Sequence, residues 1–154
     1  MSGPPAGARL VTVTVGVTGA FAVAALTAAA VPVRFATPAA VLDVLLFVVG
    51  LAAFAAALLR AAGRSRHEEL SVSGLFLLTG CAPPGVRQVL LGCVTAQTLV
   101  AFATAALRPF TPLAFGVLVP TFGLGACGLW AARHGVFPAK PGAGAVGRPG
   151  SRAR

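Results

Sequence analysis

The sequence predicts an all-α protein: a four-helix transmembrane bundle with a short cytoplasmic interfacial or re-entrant segment and disordered tails. Three observations carry that expectation. First, 57% of the 154 residues are hydrophobic and only 10% are charged, against a usual charged share of roughly a quarter; so few charges cannot cover a water-facing surface. Second, the apolar excess is gathered into four runs, 10–31, 39–59, 89–107 and 110–132, interrupted by one charge, Asp43. Each approaches the roughly 20 residues that cross a hydrocarbon core of about 30 Å. Third, if all four runs span, ten of the 12 basic residues fall on one side (Arg9, Arg60, Arg64, Arg66, Arg87, Arg133, Lys140, Arg148, Arg152 and Arg154) and only Arg34 and Arg108 on the other. That asymmetry places both termini in the cytoplasm of a multi-pass cell-membrane protein. The net charge of +9 is then topological, and anionic lipid headgroups suit it better than nucleic acid.

Residues 1–8, "MSGPPAGA", are Gly/Pro/Ala-rich without hydrophobic periodicity and are expected to be disordered. The first span opens "LVTVTV", which alternates like a strand, but barrel strands are about 10 residues with sustained alternation, and this run stays apolar or small to its end. A signal peptide is the other alternative, given "ALTAAAVPV"; its apolar core would be about 7–15 residues, shorter than this run. Within the span Thr12, Gly16, Ala20, Ala24 and Ala28 recur at every fourth position, a small-residue ladder that lets a neighbouring backbone approach.

"PVRFATP" reads as a short outer turn, after which Thr37 and Pro38 suit the N-cap and first position of the second span. Asp43, Leu46, Gly50, Ala53, Ala57 and Arg60 follow helical spacing along one face, so Asp43 is expected on the packing seam. From a start at Pro38 it lies roughly 6–8 Å of rise inside the helix, shallow enough to feel the positive N-terminus. An ion pair with Arg34 or Arg108 is the first expectation; a proton or cation site is the alternative, since ionisable groups inside a span mark function by default.

The connection 60–88 carries the charged "RAAGRSRHEEL", then the apolar "SVSGLFLLTG" and the break "CAPPGVRQ". A fifth crossing over 70–80 would carry Arg87 outside, against the charge bias, so a short interfacial or re-entrant helix ended by Gly80, Pro83 and Pro84 is expected. The third span places Gln97 near its midpoint, with Cys93, Ala101 and Thr104 on the same face. An amide at that depth needs partners, so Gln97 and Thr104 form a candidate polar seam whose first role is helix association. In the fourth span Pro120 lies among Gly116, Gly123, Gly125 and Gly128; proline removes the backbone bond to residue 116, and a kink is expected. Trp130, Arg133 and His134 close the span as an interface anchor. Residues 138–154 repeat the Gly/Pro/Ala composition of the first tail, with basic residues added.

Sliding the chain by 74 residues superposes Arg34 on Arg108, Thr37 on Thr111 and Pro38 on Pro112. This weak repeat would be a parallel arrangement of two helix pairs, a pattern some transporters show, although any outer helix start favours Thr-Pro. Asp43 has no counterpart, since position 117 is Val117.

Enzyme motifs are absent. "HEEL" at 67–70 lacks the second histidine of a zinc helix, position 71 being Ser71, and there is no phosphate-binding loop or nucleophile elbow. Cys81, Cys93 and Cys127 contain no CxxC pair and read as small apolar side chains. No catalytic residue, metal site or cofactor is expected. The stretch "RPFTPLAFGVLVPTFGLGACGLWAARHGVFP", with "RHEELSVSGLFLLTGCAPPGVR" before it, resembles a group of small uncharacterised four-span membrane proteins of high-GC bacteria. The resemblance implies membrane location and span count and supplies no site residues.

Two functions follow as expectations. The first is a non-enzymatic accessory or interaction subunit that packs through Gly16, Ala20, Ala24 and Gly50 against a larger membrane protein or a second copy of itself. The alternative is a small oligomeric transporter or channel using Asp43 and Gln97, with Pro120 breaking the helix beside them.

Overall fold

A computed structural model describes residues 7–65 and 71–138. Its described elements are all helical: α1 (Ala8–Ala30), α2 (Pro32–Arg64), α3 (Val72–Leu77), α4 (Pro84–Leu107), a 3-10 segment (Pro112–Leu118) and α5 (Pro120–His134). Four helical stretches are long and apolar enough to cross a membrane: α1, α2, α4, and the 3-10 segment together with α5 as the fourth. Residues 1–6, 66–70 and 139–154, on which most of both expected tails falls, lie outside the described residues.

The spans pack in a ring in which α1 adjoins α2 and α4, and the fourth span adjoins α2 and α4. The fourth span is the most enclosed: 56% of its apolar window is buried, against 17–28% for the other three. Its glycines make that possible. A Cβ on Gly50 of α2 would stand 2.5 Å from both N and Cα of Phe122, and a Cβ on Gly125 would meet the Gly50 carbonyl. Two backbones therefore touch where side chains ordinarily hold helices 8–10 Å apart. Further along, Gly128 lies against Ala57 and the Phe76 ring.

Two helix boundaries differ from the sequence expectation. α2 begins at Pro32, not Pro38; α1 and α2 are separated by Val31 alone, and "PVRFATP" is helical. Pro32 fits the first helical turn, where its missing N–H is no loss, so the helix starts six residues early and Pro38 falls inside it. The Thr-Pro pair of the 74-residue repeat thus occupies two conformations. The residue 74 places after Pro32 is Ala106, which continues α4, whereas Pro109 and Phe110, with its φ of 62°, turn the chain before Pro112. Helices equated by the repeat do adjoin: α1 packs on α4, and α2 runs parallel to the fourth span, Asp43 facing Gly116 and Ala57 facing Gly128.

The second difference is in the fourth span, which changes from 3-10 to α at Pro120. Pro120 cannot donate to the Gly116 carbonyl; Val119 N–H donates to it instead at 3.0 Å, and Phe122 N–H donates to Val119 O at 2.8 Å. These shorter-range bonds carry a 3-10 half up to an α-helical half without leaving the freed carbonyl empty.

The end of the bundle that carries Gly7 and Gly135 is closed by α3 and the segment after α5. Ser71 caps α3, its Oγ accepting from Gly74 N–H at 2.9 Å, and Gly74, Leu75 and Phe76 are buried on α5. Six residues rise only about 9 Å, too short to cross. The helix ends at Leu77, with Leu78 in the left-handed region, ahead of the expected stop at Gly80. The Phe54 and Phe76 rings stack at 4.4 Å. Arg64 donates to the carbonyls of Ala132 and Gly135, both at 3.1 Å, and lies over the Phe137 ring.

Candidate functional site

A membrane helix satisfies its own backbone, so chemistry in this bundle resides in the few polar side chains turned inward. These are Thr14, Thr18, Asp43, Gln97 and Thr104, each no more than 9% exposed. They come from α1, α2 and α4, and the fourth span faces them with glycines.

Asp43 is 4% exposed and lies three turns inside α2. A Cβ on Gly116 would stand 3.5 Å from Asp43 Oδ2 and 3.9 Å from Ala101 of α4, so the carboxyl occupies the junction of α2, the 3-10 segment and α4. It has no hydrogen-bond or ionic partner among the described residues. The expected pairing with Arg34 or Arg108 does not occur. Both arginines are exposed; Arg34 is nine residues away along α2, about 13 Å of rise, and helical side chains lean toward the N-terminus, which carries Arg34 farther off. The early start at Pro32 has a second effect. The field of a helix terminus fades within its first turn, so at this depth it no longer helps a carboxylate.

Gln97 is completely buried. Its Nε2 donates to Thr18 Oγ1 at 2.7 Å, tying α4 to α1, and Thr18 in turn donates to the Thr14 carbonyl at 2.8 Å. Gln97 Oε1 accepts no hydrogen bond among the described residues. It points at the fourth span, where a Cβ on Gly123 would stand 2.6 Å from it. Thr104 satisfies itself on the α4 backbone, donating to Val100 and Ala101 carbonyls at 2.9 and 3.1 Å. Gln97 and Thr104 therefore share the inward face of α4, with Ala101, level with Asp43, between them.

Of the small residues, Gly50 is buried against Phe122, but Gly16 and Ala20 are exposed, nothing stands within 4 Å of a Cβ on Gly16, and Ala24 is half-buried. The inward face of α1 is instead Thr14, Thr18, Phe21, Ala25 and Ala28. Sequence reasoning missed Thr14 and Thr18, although two hydroxyls four residues apart in an apolar span mark a polar face as well as a glycine ladder marks a small one. Arg60 is exposed, and the α2 seam continues through Ala61. Among the described residues no group of three or more His, Cys, Asp or Glu gathers as metal ligands.

Comparisons with protein-family models, with curated proteins and with solved structures found no match to this chain.

Proposed function

We propose that this chain, with four helices able to cross a membrane, carries a small cation, a proton or a monovalent metal ion, by way of Asp43. The observation behind the proposal is the Asp43 carboxyl, 4% exposed and without a counter-charge. Burying a charge without compensation costs several kcal/mol. A position retained for packing alone is filled better by an apolar residue, whereas a site that takes up and releases a cation needs the acid. Its surroundings fit: the helix facing it changes from 3-10 to α at Val119–Pro120, and the Gln97 Oε1 lone pairs are unused on the same inner face. Ionisable groups inside membrane spans mark ion and proton paths. The protein is read as non-enzymatic, with both termini cytoplasmic; reporter fusions after residues 34, 65 and 140 test that topology, and an external signal at 65 or 140 would reverse it.

Flux in proteoliposomes tests the function. Wild-type protein is expected to dissipate an imposed proton, sodium or potassium gradient faster than empty vesicles, Asp43→Asn to abolish the excess, and Asp43→Glu to retain part of it. A wild type without excess flux for all three ions, or an Asp43→Asn variant that matches it, overturns the proposal.

A second reading is favoured by the outward Gly16–Ala20 face of α1, open to a close helix neighbour. It is the interaction role, in which this face packs on a second copy or a larger membrane protein. Cysteine crosslinking from position 16 or 20 in native membranes tests it, and the absence of any crosslinked species removes it.

A further inference from the structure

Beside Asp43 but on the outer surface of the bundle runs an apolar groove of about 310 Å³, lined on α2 by Thr37, Val41, Val44 and Leu45 and on the 3-10 segment by Pro112 and Phe115. It exists because a 3-10 helix is narrower than an α-helix and sets residues three apart in line: Pro112 and Phe115 form one edge, and the wall that a full α-helix would present is missing. From Thr37 to Leu45 the groove follows eight residues of α2, about 12 Å, most of one leaflet's half of a core of about 30 Å.

What heads this groove is charged. Arg34 stands on the same face of α2 as Thr37, Val41 and Leu45, by steps of three and four residues, and its side chain leans toward the bundle end. Arg108 lies at that same end, four residues before Pro112, its carbonyl held by Thr111 Oγ1 at 2.7 Å. Both arginines are exposed, neither has an acidic partner among the described residues, and the one described acid, Asp43, is buried. Two arginines at the same bundle end as an apolar slot of one-leaflet depth complement a molecule with an anionic, oxygen-rich head and a hydrocarbon tail. A second copy of the chain fits worse, because it would bring the same uncompensated cations to the contact.

We propose that this groove seats an acyl chain of an anionic phospholipid whose phosphate is held by Arg34 and Arg108, in the leaflet on the side where those residues lie. The inference rests on the membrane location and is independent of cation transport. Its further consequence is positional: the lipid chain would line the outer side of the 3-10 segment whose inner side faces Asp43.

The test uses the full chain in phosphatidylcholine vesicles doped with phosphatidylglycerol bearing a photoreactive acyl chain, with labelled peptides read by mass spectrometry. Labelling is expected within 37–45 and 112–115, and to fall at least fivefold when unlabelled phosphatidylglycerol, but not phosphatidylcholine, is in excess. The exposed double substitution Arg34→Gln, Arg108→Gln should reduce that labelling to the level of a photoreactive phosphatidylcholine, and Val44→Trp, which fills the groove, should reduce it for both lipids. Equal competition by the two lipids, labelling unchanged in either variant, or labels spread evenly over all lipid-facing positions overturns the proposal.

Discussion

Gly50→Ala is the substitution whose outcome depends most directly on how the helices meet. The added methyl carbon would lie 2.5 Å from Phe122 N and Cα and 2.8 Å from Thr121 C. Carbon atoms rest at about 3.5–4.0 Å, so α2 and the fourth span must part by about 1 Å, and the obstructing atoms are backbone that cannot rotate aside. Overpacking of this kind costs about 1–3 kcal/mol, partly offset by the gain of up to about 1 kcal/mol from replacing a helical glycine with alanine. Gly16→Ala supplies the control, because it has that same gain and nothing within 4 Å to strike. Unfolding both variants by increasing the mole fraction of denaturing detergent in mixed micelles, at a dilution where the chain is monomeric, should place Gly50→Ala about 1–3 kcal/mol below Gly16→Ala. A gap under about 0.5 kcal/mol, the scatter of ordinary surface changes, would refute the close crossing at Gly50.

Two further outcomes follow from the same interior. Gln97→Leu removes one hydrogen bond to Thr18, which keeps its own bond to Thr14, and also removes the unpartnered Oε1; stability in the same titration should change by less than about 1 kcal/mol, and a larger loss would mean that the amide has partners the structure lacks. Burial pushes the Cys81 thiol, whose Sγ donates to the Gly74 carbonyl at 3.0 Å, above its ordinary range. The unfolded thiol then ionises first, so the stability due to the neutral folded thiol is complete below about pH 8.5 and is lost as the pH climbs through the raised folded value; unfolding at pH 7 and pH 10 should show a decline that Cys81→Ala diminishes.

The difference between what was legible in the sequence and what was not is clearest on α1 and at Asp43. Gly16, Ala20, Thr14 and Thr18 are all small or weakly polar, and in a span whose remaining positions are mostly valine and alanine every face is compatible with lipid or with protein. Periodicity, which separates core from water in a soluble helix, loses its contrast there. The ladder through Gly16 was therefore visible, and the direction in which it points was not. The α2 seam read better because Asp43 is a residue that lipid rejects, and the same helical steps bring Gly50 and Ala57 inward with it. Gln97 and Thr104 were legible for the same reason.

The sequence by itself determined that the chain contains four helices able to cross a membrane, and where the polar exceptions within them lie. Hydropathy and length act residue by residue, and in lipid an apolar run too long and too little alternating for a barrel strand satisfies its backbone within a helix. Only the tertiary structure decided that Pro32 starts α2 and buries Asp43 three turns deep, that the fourth span divides into 3-10 and α-helical halves, and that Asp43 stands beyond the reach of either arginine. These depend on which neighbour fills each gap: Gly116 opposite Asp43, Val119 N–H in place of the bond that Pro120 lacks, Phe122 against Gly50. No local pattern encodes such contacts, because each joins residues more than sixty positions apart or turns on a competition between adjacent backbone groups.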